Sequence, residues 1–315
     1  MRKLTILPVL AAGALALAGC SDPGTTVTPM SDAADPAAEE VAEEAAEGVG
    51  FDFSQLSTVD EVAALVPEKV KEAGVLTNGA STDYPPGEFR ADDGQTPVGY
   101  DIDIVKAMAI VMGLKDGVTS HAEFPTIIPA LGVKYDVGAS SFTITEDRLK
   151  QVNMVSYLEV GSDYAVAAGN PSDFDPADPC GATIGVQNGT FQFDYIHDLS
   201  VMCVHDEKEE IDIKPHDLQS DVTTKVVGGQ YDATFADSPV VGFAVVETEG
   251  RVEKIGEAIE SAPQGIAVAK DDEQLTEAVQ AAMQYLMDQG YLEQILAVYG
   301  SQDVGLTTAE INPKV

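Results

Sequence analysis

Ser140-Ser141-Phe142-Thr143-Ile144-Thr145-Glu146-Asp147-Arg148 is the stretch on which the reading of this chain turns. It follows a short strand-like run, Tyr135 to Ala139, and leads into a helix. Thr145 stands at the N-cap, and Glu146 and Asp147 fall in the first turn, where acids suit the helix dipole. Hydroxyls and the free amides of a helix start converge there, and Arg148 adds a bidentate guanidinium. Together they make a carboxylate receptor. The same residues also read as an ordinary capped helix whose Arg pairs with a surface acid. The rest of the chain has to decide between the two.

Upstream, Asp60 to Ala73 reads as a helix with Val62, Leu65 and Val70 on one face and Gly74 as its stop. Val75-Leu76-Thr77 starts a strand that opens into the polar loop Asn78 to Pro86, which carries Tyr84. Asp92-Asp93-Gly94 reads as a hairpin turn. Ile102 to Met112 is helical and stopped by Gly113, with Met108 and Met112 in the core. Val118 to Phe124 reads as a strand and Ile127 to Leu131 as a helical piece. Downstream, Asp163 to Ala168 and Ala182 to Val186 are strands on either side of the Pro/Asp-rich break Asn170 to Pro179. Gln187-Asn188-Gly189-Thr190, followed by a helix from Phe191, repeats the strand, polar turn, helix order, so Thr190 is a second N-cap facing an anion. Asp221 to Gly229 is a short helix, and the strand from Tyr231 ends in Asp237. Gln264 to Ala269 is a strand, Gln274 to Met287 a long amphipathic helix, and Leu292 to Tyr299 the last helix. Strand and helix alternate throughout, which argues α/β with largely parallel sheets. In such sheets ligands bind at the carboxyl ends of strands, where Ser81, Ser140, Gln187 and Asp237 all sit.

The chain sets 53 acids against 17 bases, a net charge of −36 over 315 residues. That surface repels nucleic acid and anionic lipid, and excludes both as partners of the folded body. Met1-Arg2-Lys3 is a basic start and Leu4 to Leu17 an apolar run too short for a comfortable span. It ends in Leu17-Ala18-Gly19-Cys20, which resembles the bacterial lipobox. Residues 1–20 are thus expected to be a lipoprotein signal peptide whose Cys20 becomes lipidated. The protein is then exported and anchored to the outer face of the cytoplasmic membrane, or periplasmic. Residues 21–58 are expected to be a disordered acidic tether, its Ala, Glu and Pro bias concentrated in Ser21 to Gly50. In an exported chain the two remaining thiols, Cys180 and Cys203, are expected to pair, closing a loop worth about 3 kcal/mol. No CxxC or Cys/His cluster suggests a metal, and no cofactor is expected.

Several motifs, in order, resemble the polar amino acid-binding family of extracellular solute receptors serving ABC importers. They are Tyr84-Pro85-Pro86, Gly99-Tyr100-Asp101-Ile102-Asp103, Ile127-Ile128-Pro129-Ala130-Leu131, Lys134-Tyr135-Asp136, Thr143 to Arg148, Gly189-Thr190 and Tyr231-Asp232-Ala233. The resemblance covers about Val70 to Gly300. It implies a two-lobed periplasmic-binding-protein-like fold (type II) with two hinge strands. Lobe 1 would be 59–163 plus 266–315, lobe 2 would be 169–261, and the hinges 164–168 and 262–265. It implies a monomer that captures a free amino acid and hands it to permease subunits.

Carried over position by position, Arg148 and Thr143 bind the ligand α-carboxylate, helped by Ser141 and by Thr190 from the other lobe. Asp237 takes the α-ammonium, and Tyr84 and Phe124 sandwich the side chain. Ser140 supplies mainly backbone contacts, while Ser81, Gln187 and Ala236 line the side-chain end. Gly87 stands where the family usually has Phe, and Phe191 where a second hydroxyl often follows Gly-Thr. With Ser81 and Gln187 and no assigned charge, the side-chain end points to an uncharged, polar amino acid. Asp83, if its register brought it to the pocket, would favour a basic one. The same fold hosts amino acid-dehydrating enzymes, which need a general acid or base in the cleft, and no His or Glu stands at the matched positions. It also hosts ligand-sensing receptor subunits, which are expected to continue into a transmembrane or kinase segment. A transport protein, not an enzyme, is the expectation.

Overall fold

The computed structural model describes residues 50–315. The expected signal peptide, Cys20 and the expected tether up to residue 49 lie outside the described residues. The strands are β1 (Val75–Ala80), β2 (Phe89–Arg90), β3 (Pro97–Val98), β4 (Asp116–His121), β5 (Val137–Gly138), β6 (Val152–Ala167), β7 (Thr183–Gln187), β8 (Asp212–His216), β9 (Ala233–Asp237) and β10 (Val252–Ala269). Eight of them form one sheet in the order β4-β1-β5-β10-β6-β9-β7-β8, and β2 and β3 pair apart as a hairpin. Asp93 closes that hairpin by accepting from the backbone amides of Gln95 and Thr96, both at 2.8 Å.

The sheet has two wings and a crossing. On one wing β1 pairs in parallel with β4 and β5, and on the other β7 pairs in parallel with β8 and β9. Between them the long strands β6 and β10 run antiparallel to each other. Each wing has its own core. The first gathers Leu76, Ile104, Met108, Val155, Leu275 and Leu286, and the second Tyr164, Ile184, Val186, Ile196 and Phe235. Two cores on one sheet are two α/β lobes joined by two crossing strands.

Local rules explain the helices that frame the site. Glu273–Asp288 starts at Asp272, whose side chain accepts from Leu275 N, and buries Leu275, Ala278, Val279, Ala282, Met283 and Leu286 along one stripe. Burying each such Leu contributes about 1.5–3 kcal/mol. The helix Tyr100–Val111 begins after Gly99 at φ 124°. A Cβ on Gly99 would run into the carbonyl of Gly87. The residues Tyr100 and Asp101 donate to the carbonyls of Pro86 and Gly87, which ties the Tyr84 loop to the helix start.

The structure departs from the sequence reading in several places. The tether ends earlier than residue 58, because Phe51 and Leu56 are buried in the first core, with the Phe51 ring 6.3 Å from that of Tyr291. Aromatic area at the end of an acidic tract is worth more buried than solvated. Asp60 to Ala73 is two helices, Asp60–Leu65 and Glu68–Ala73, because Pro67 cannot continue the first. The central strands are much longer than expected, 16 residues in β6 and 18 in β10. Their crossing segments carry no alternation: β6 is buried on both faces, and β10 is studded with exposed acids such as Glu257 and Glu260. The sheet is therefore mixed rather than largely parallel. Finally, residues 164–166 already pair with β9 in the second wing. That pairing puts residues 164–166 in the second lobe and the first crossing ahead of them. The second falls in the irregular register of β10, whose last shift lies between Gln264 and Gly265.

Cys180 and Cys203 form a disulfide across 5.6 Å between Cα atoms and pack in the second core. No helix among the described residues is long and apolar enough to cross a membrane.

Candidate functional site

The opening stretch lies between the lobes. Thr145 caps the helix Glu146–Gln151 by accepting from Arg148 N at 3.2 Å. The Arg148 side chain turns back onto the loop that precedes the helix. Its Nη1 donates to Thr143 O at 2.7 Å, and its Nη2 crosses to the second lobe and donates to Gly189 O at 3.2 Å. The guanidinium lies 5.4 Å from the Phe124 ring centroid and 5.3 Å from that of Phe142, close enough for cation–π attraction. The two rings stack at 4.5 Å. Desolvation lowers the Arg148 pKa to about 10, with the charges of Asp194 and Asp237 opposing. It remains a cation at neutral pH. A guanidinium has five N–H donors, so donors remain for a ligand carboxylate.

Asp237 ends β9 and is 4% exposed. Its Oδ1 accepts from Gln192 Nε2 at 2.7 Å and its Oδ2 from Gln264 Nε2 at 2.8 Å. Its backbone amide donates to the Tyr84 hydroxyl at 3.1 Å. Burial pushes the Asp237 carboxyl up to about 7, opposed by those two amides, Tyr84 and Arg148. An ammonium arriving here would restore the ionised form.

Between Arg148 and Asp237 lies a narrow slit of about 10 Å³, room for roughly one water. Tyr84, Phe124, Ser141, Thr143, Gln187 and Thr190 line it, with Phe191 and Gln192. The lobes therefore stand closed on one another, and a ligand enters only when they part. Besides the Arg148 bond, Gln187 Nε2 donates to Ser81 Oγ at 3.1 Å and Ser220 N to Asp83 Oδ2 at 2.9 Å across the same gap. Asp83 thus sits at the rim, outside the slit lining, with its pKa raised by burial and lowered in part by Ser220.

The hydroxyls of Thr190 and Ser141, expected to help hold a ligand, and that of Ser140, expected to give mainly backbone contacts, have their protons engaged elsewhere. Thr190 caps the helix Phe191–His205 and donates to Gln187 O at 2.8 Å. Ser140 Oγ donates to Glu88 at 2.6 Å and accepts from Ser81 N at 2.9 Å. Ser141 Oγ also turns to Glu88. Ser81 and Ser140 do not line the slit, and Ala236 packs with Tyr84 in a small cluster beside it. A ligand carboxylate would rely on Arg148 and Thr143. Sequence reasoning missed Gln192, Gln264 and Phe142. Gln192, two residues past the Thr190 cap, carried a weak signal, while Gln264 reaches Asp237 only through the register of the crossing strands.

The sequence pattern of the bacterial extracellular solute-binding proteins, family 3, matches residues 76–302. The arginine-binding protein ArgT of Corynebacterium glutamicum is 37% identical over 256 residues, covering 81% of this chain and 83% of that protein. The ABC transporter arginine-binding protein 1 of Escherichia coli is 31% identical over 227 residues, 69% of this chain and 87% of the relative. Among solved structures, an ancestral arginine-binding protein bound to arginine superposes with a TM-score of 0.66 at 30% identity, over 72% of this chain and 98% of the other. The match runs from the first strand through both lobes to the last helical turn, and the chain belongs to the bacterial extracellular solute-binding proteins, family 3.

Proposed function

We propose that this protein captures a free α-amino acid between its lobes and delivers it to the permease of an ABC importer. The observation that carries the reading is the placement of Arg148 and Asp237, one cation and one anion from different lobes facing one closed slit. A free amino acid bears both complementary charges a fixed distance apart. A buried charge must be paired to be tolerated, so the site rejects simple amines and simple carboxylates. Relatives named for arginine favour a cationic side chain over the uncharged polar one expected from Ser81 and Gln187. Asp83 supports this as a carboxylate at the rim of the gap between the lobes, outside the slit lining. Arginine is the ligand of first choice.

The test is a thermal-shift panel of the common amino acids. Arginine at 100 times its dissociation constant should stabilise the protein by about 2.7 kcal/mol, a rise of roughly 5–10 °C for a body of this size. A larger shift with glutamine than with arginine would reject the cationic side chain and keep the receptor. No shift with any amino acid would reject the receptor. Asp237 is the one carboxyl lining the slit, and its clamp by two amides suits an ammonium partner better than proton transfer. Conversion of the bound amino acid, followed by mass spectrometry, would favour the dehydrating enzyme instead.

We also propose that Cys20 carries the lipid that holds the receptor at the membrane, on the order of its n-region, apolar run and Leu-Ala-Gly-Cys. Cys20→Ala is expected to leave the protein unprocessed or to release it from washed membranes. Equal retention of the variant after a salt wash would refute the anchor.

A further inference from the structure

Beneath the carboxylate-receiving loop lie two acids that the binding reading does not use. Glu88 and Asp101 are both 0% exposed. Glu88 Oε1 takes the Ser140 hydroxyl at 2.6 Å. The Ser141 hydroxyl lies 3.1 Å from Glu88 Oε2 and 3.3 Å from Asp101 Oδ2. Asp101 also accepts from Ser141 N at 2.7 Å and from the Tyr157 hydroxyl at 2.6 Å. The groups facing the pair are these serines and the phenols of Tyr84, Tyr100 and Tyr157, with no cation among them.

Each of the four carboxylate oxygens has a donor, but no cation offsets two buried charges that share the Ser141 hydroxyl. Ser141 Oγ has one proton for two facing oxygens, and the Ser140 proton is already on Glu88. Two ionised carboxylates this close in a buried site repel, and one of them keeps a proton. Asp101 already receives two strong donors, so the proton belongs on Glu88, directed at Asp101. Ser141 itself sits at φ 50°, in the left-handed region that non-glycine residues rarely adopt. Its amide and hydroxyl are both held by the acid pair.

Resting on the amino acid-receptor reading, we propose that a neutral Glu88, hydrogen-bonded to an ionised Asp101, is the positioning residue that sets Ser140 and Ser141 so that Thr143 and Arg148 meet the ligand carboxylate. Burial and the Asp101 charge raise the Glu88 carboxyl well above the usual range, which agrees. Folding raises this pKa, so the contribution to stability is present at low pH and is lost as pH rises through the folded value.

Glu88→Gln mimics the neutral acid: its amide donates to Asp101 and its carbonyl accepts from Ser140. The infrared spectrum of the wild type at neutral pH should show the carbonyl band of a protonated carboxylic acid that E88Q lacks. An identical carboxylic acid region in both proteins overturns the proposal. In arginine titrations, E88Q should bind within about threefold of wild type near neutral pH, while Glu88→Ala should lose at least about tenfold. Wild-type affinity should fall by up to about tenfold per pH unit above the Glu88 titration, a slope missing in E88Q. Equal slopes, or loss of binding in a folded E88Q, overturn it. If no amino acid binds the wild type, the receptor reading fails. The infrared band and the apo melting profile against pH still decide the proton: wild type should melt progressively lower than E88Q as pH rises, and parallel profiles overturn it.

Discussion

Arg148→Ala is expected to weaken amino acid binding by about 30-fold or more and to leave the protein folded. Removing one partner of a desolvated charge pair costs about 2–5 kcal/mol, and 2 kcal/mol is already about 30-fold in affinity. The guanidinium is held between the lobes: two aromatic rings flank it, and it bonds carbonyls on both lobes. Its loss leaves Thr143 O and Gly189 O without that donor in the closed form, at about 1–3 kcal/mol for each if water does not replace it. Closure is therefore expected to suffer along with the ligand contact. Arg148→Lys keeps the charge but not the planar fork, and should fall between wild type and Ala. Calorimetric titration of the three proteins with the best ligand, beside apo melting temperatures, is the measurement. Normal binding by Arg148→Ala, or a large drop in its melting temperature with binding intact, would assign Arg148 a structural role instead.

Asp237→Asn should lose a similar factor in affinity by a different route, with a different pH signature. The Asp237 carboxyl, raised to about 7 in the closed protein, must be ionised to hold an ammonium. Wild-type affinity should therefore fall as pH drops through about 7, by up to about tenfold per unit below it. Asp237→Asn should show no such limb. For the apo protein the sign reverses. Folding raises this pKa from 3.8, so the stability contribution is full below the unfolded value and is lost as pH rises through about 7. Asp237→Asn should thus melt at or above the wild-type temperature at alkaline pH. The pocket can receive the amide, because Gln264 Oε1 has no hydrogen-bond partner and a flipped Gln264 would present it as the acceptor. Melting well below wild type at pH 8, or unchanged affinity, would show that Asp237 serves the fold and not the ligand.

These two limbs bracket the site. Asp237 weakens binding at low pH, and Glu88, if it holds its proton, weakens it at high pH. A bell-shaped affinity profile that flattens on the acid side in Asp237→Asn and on the alkaline side in Glu88→Gln would separate the two carboxyls without any further structure.

What the sequence determined by itself is local. Caps are contacts over two or three residues, so Thr145 and Thr190 were legible from spacing. Helix stripes and the polar turns after strands follow from period and composition, and they placed Ser140, Gln187 and Asp237 at strand ends. Only the tertiary structure decided what crosses. The two donors on the Asp237 carboxylate come from 45 and 27 residues away, Gln192 from a helix of the same lobe and Gln264 from the crossing strand. Glu88 and Asp101 meet the Ser140 loop across 40 to 53 residues, where no repeat in the sequence marks them. The crossing strands were underread because segments buried on both faces, or acidic along their exposed length, carry no period of two. A hydroxyl's direction was equally beyond reach. Ser141 and Thr190 look like ligand donors in a polar turn, yet each has one proton, and it goes to whichever acceptor the fold brings nearest.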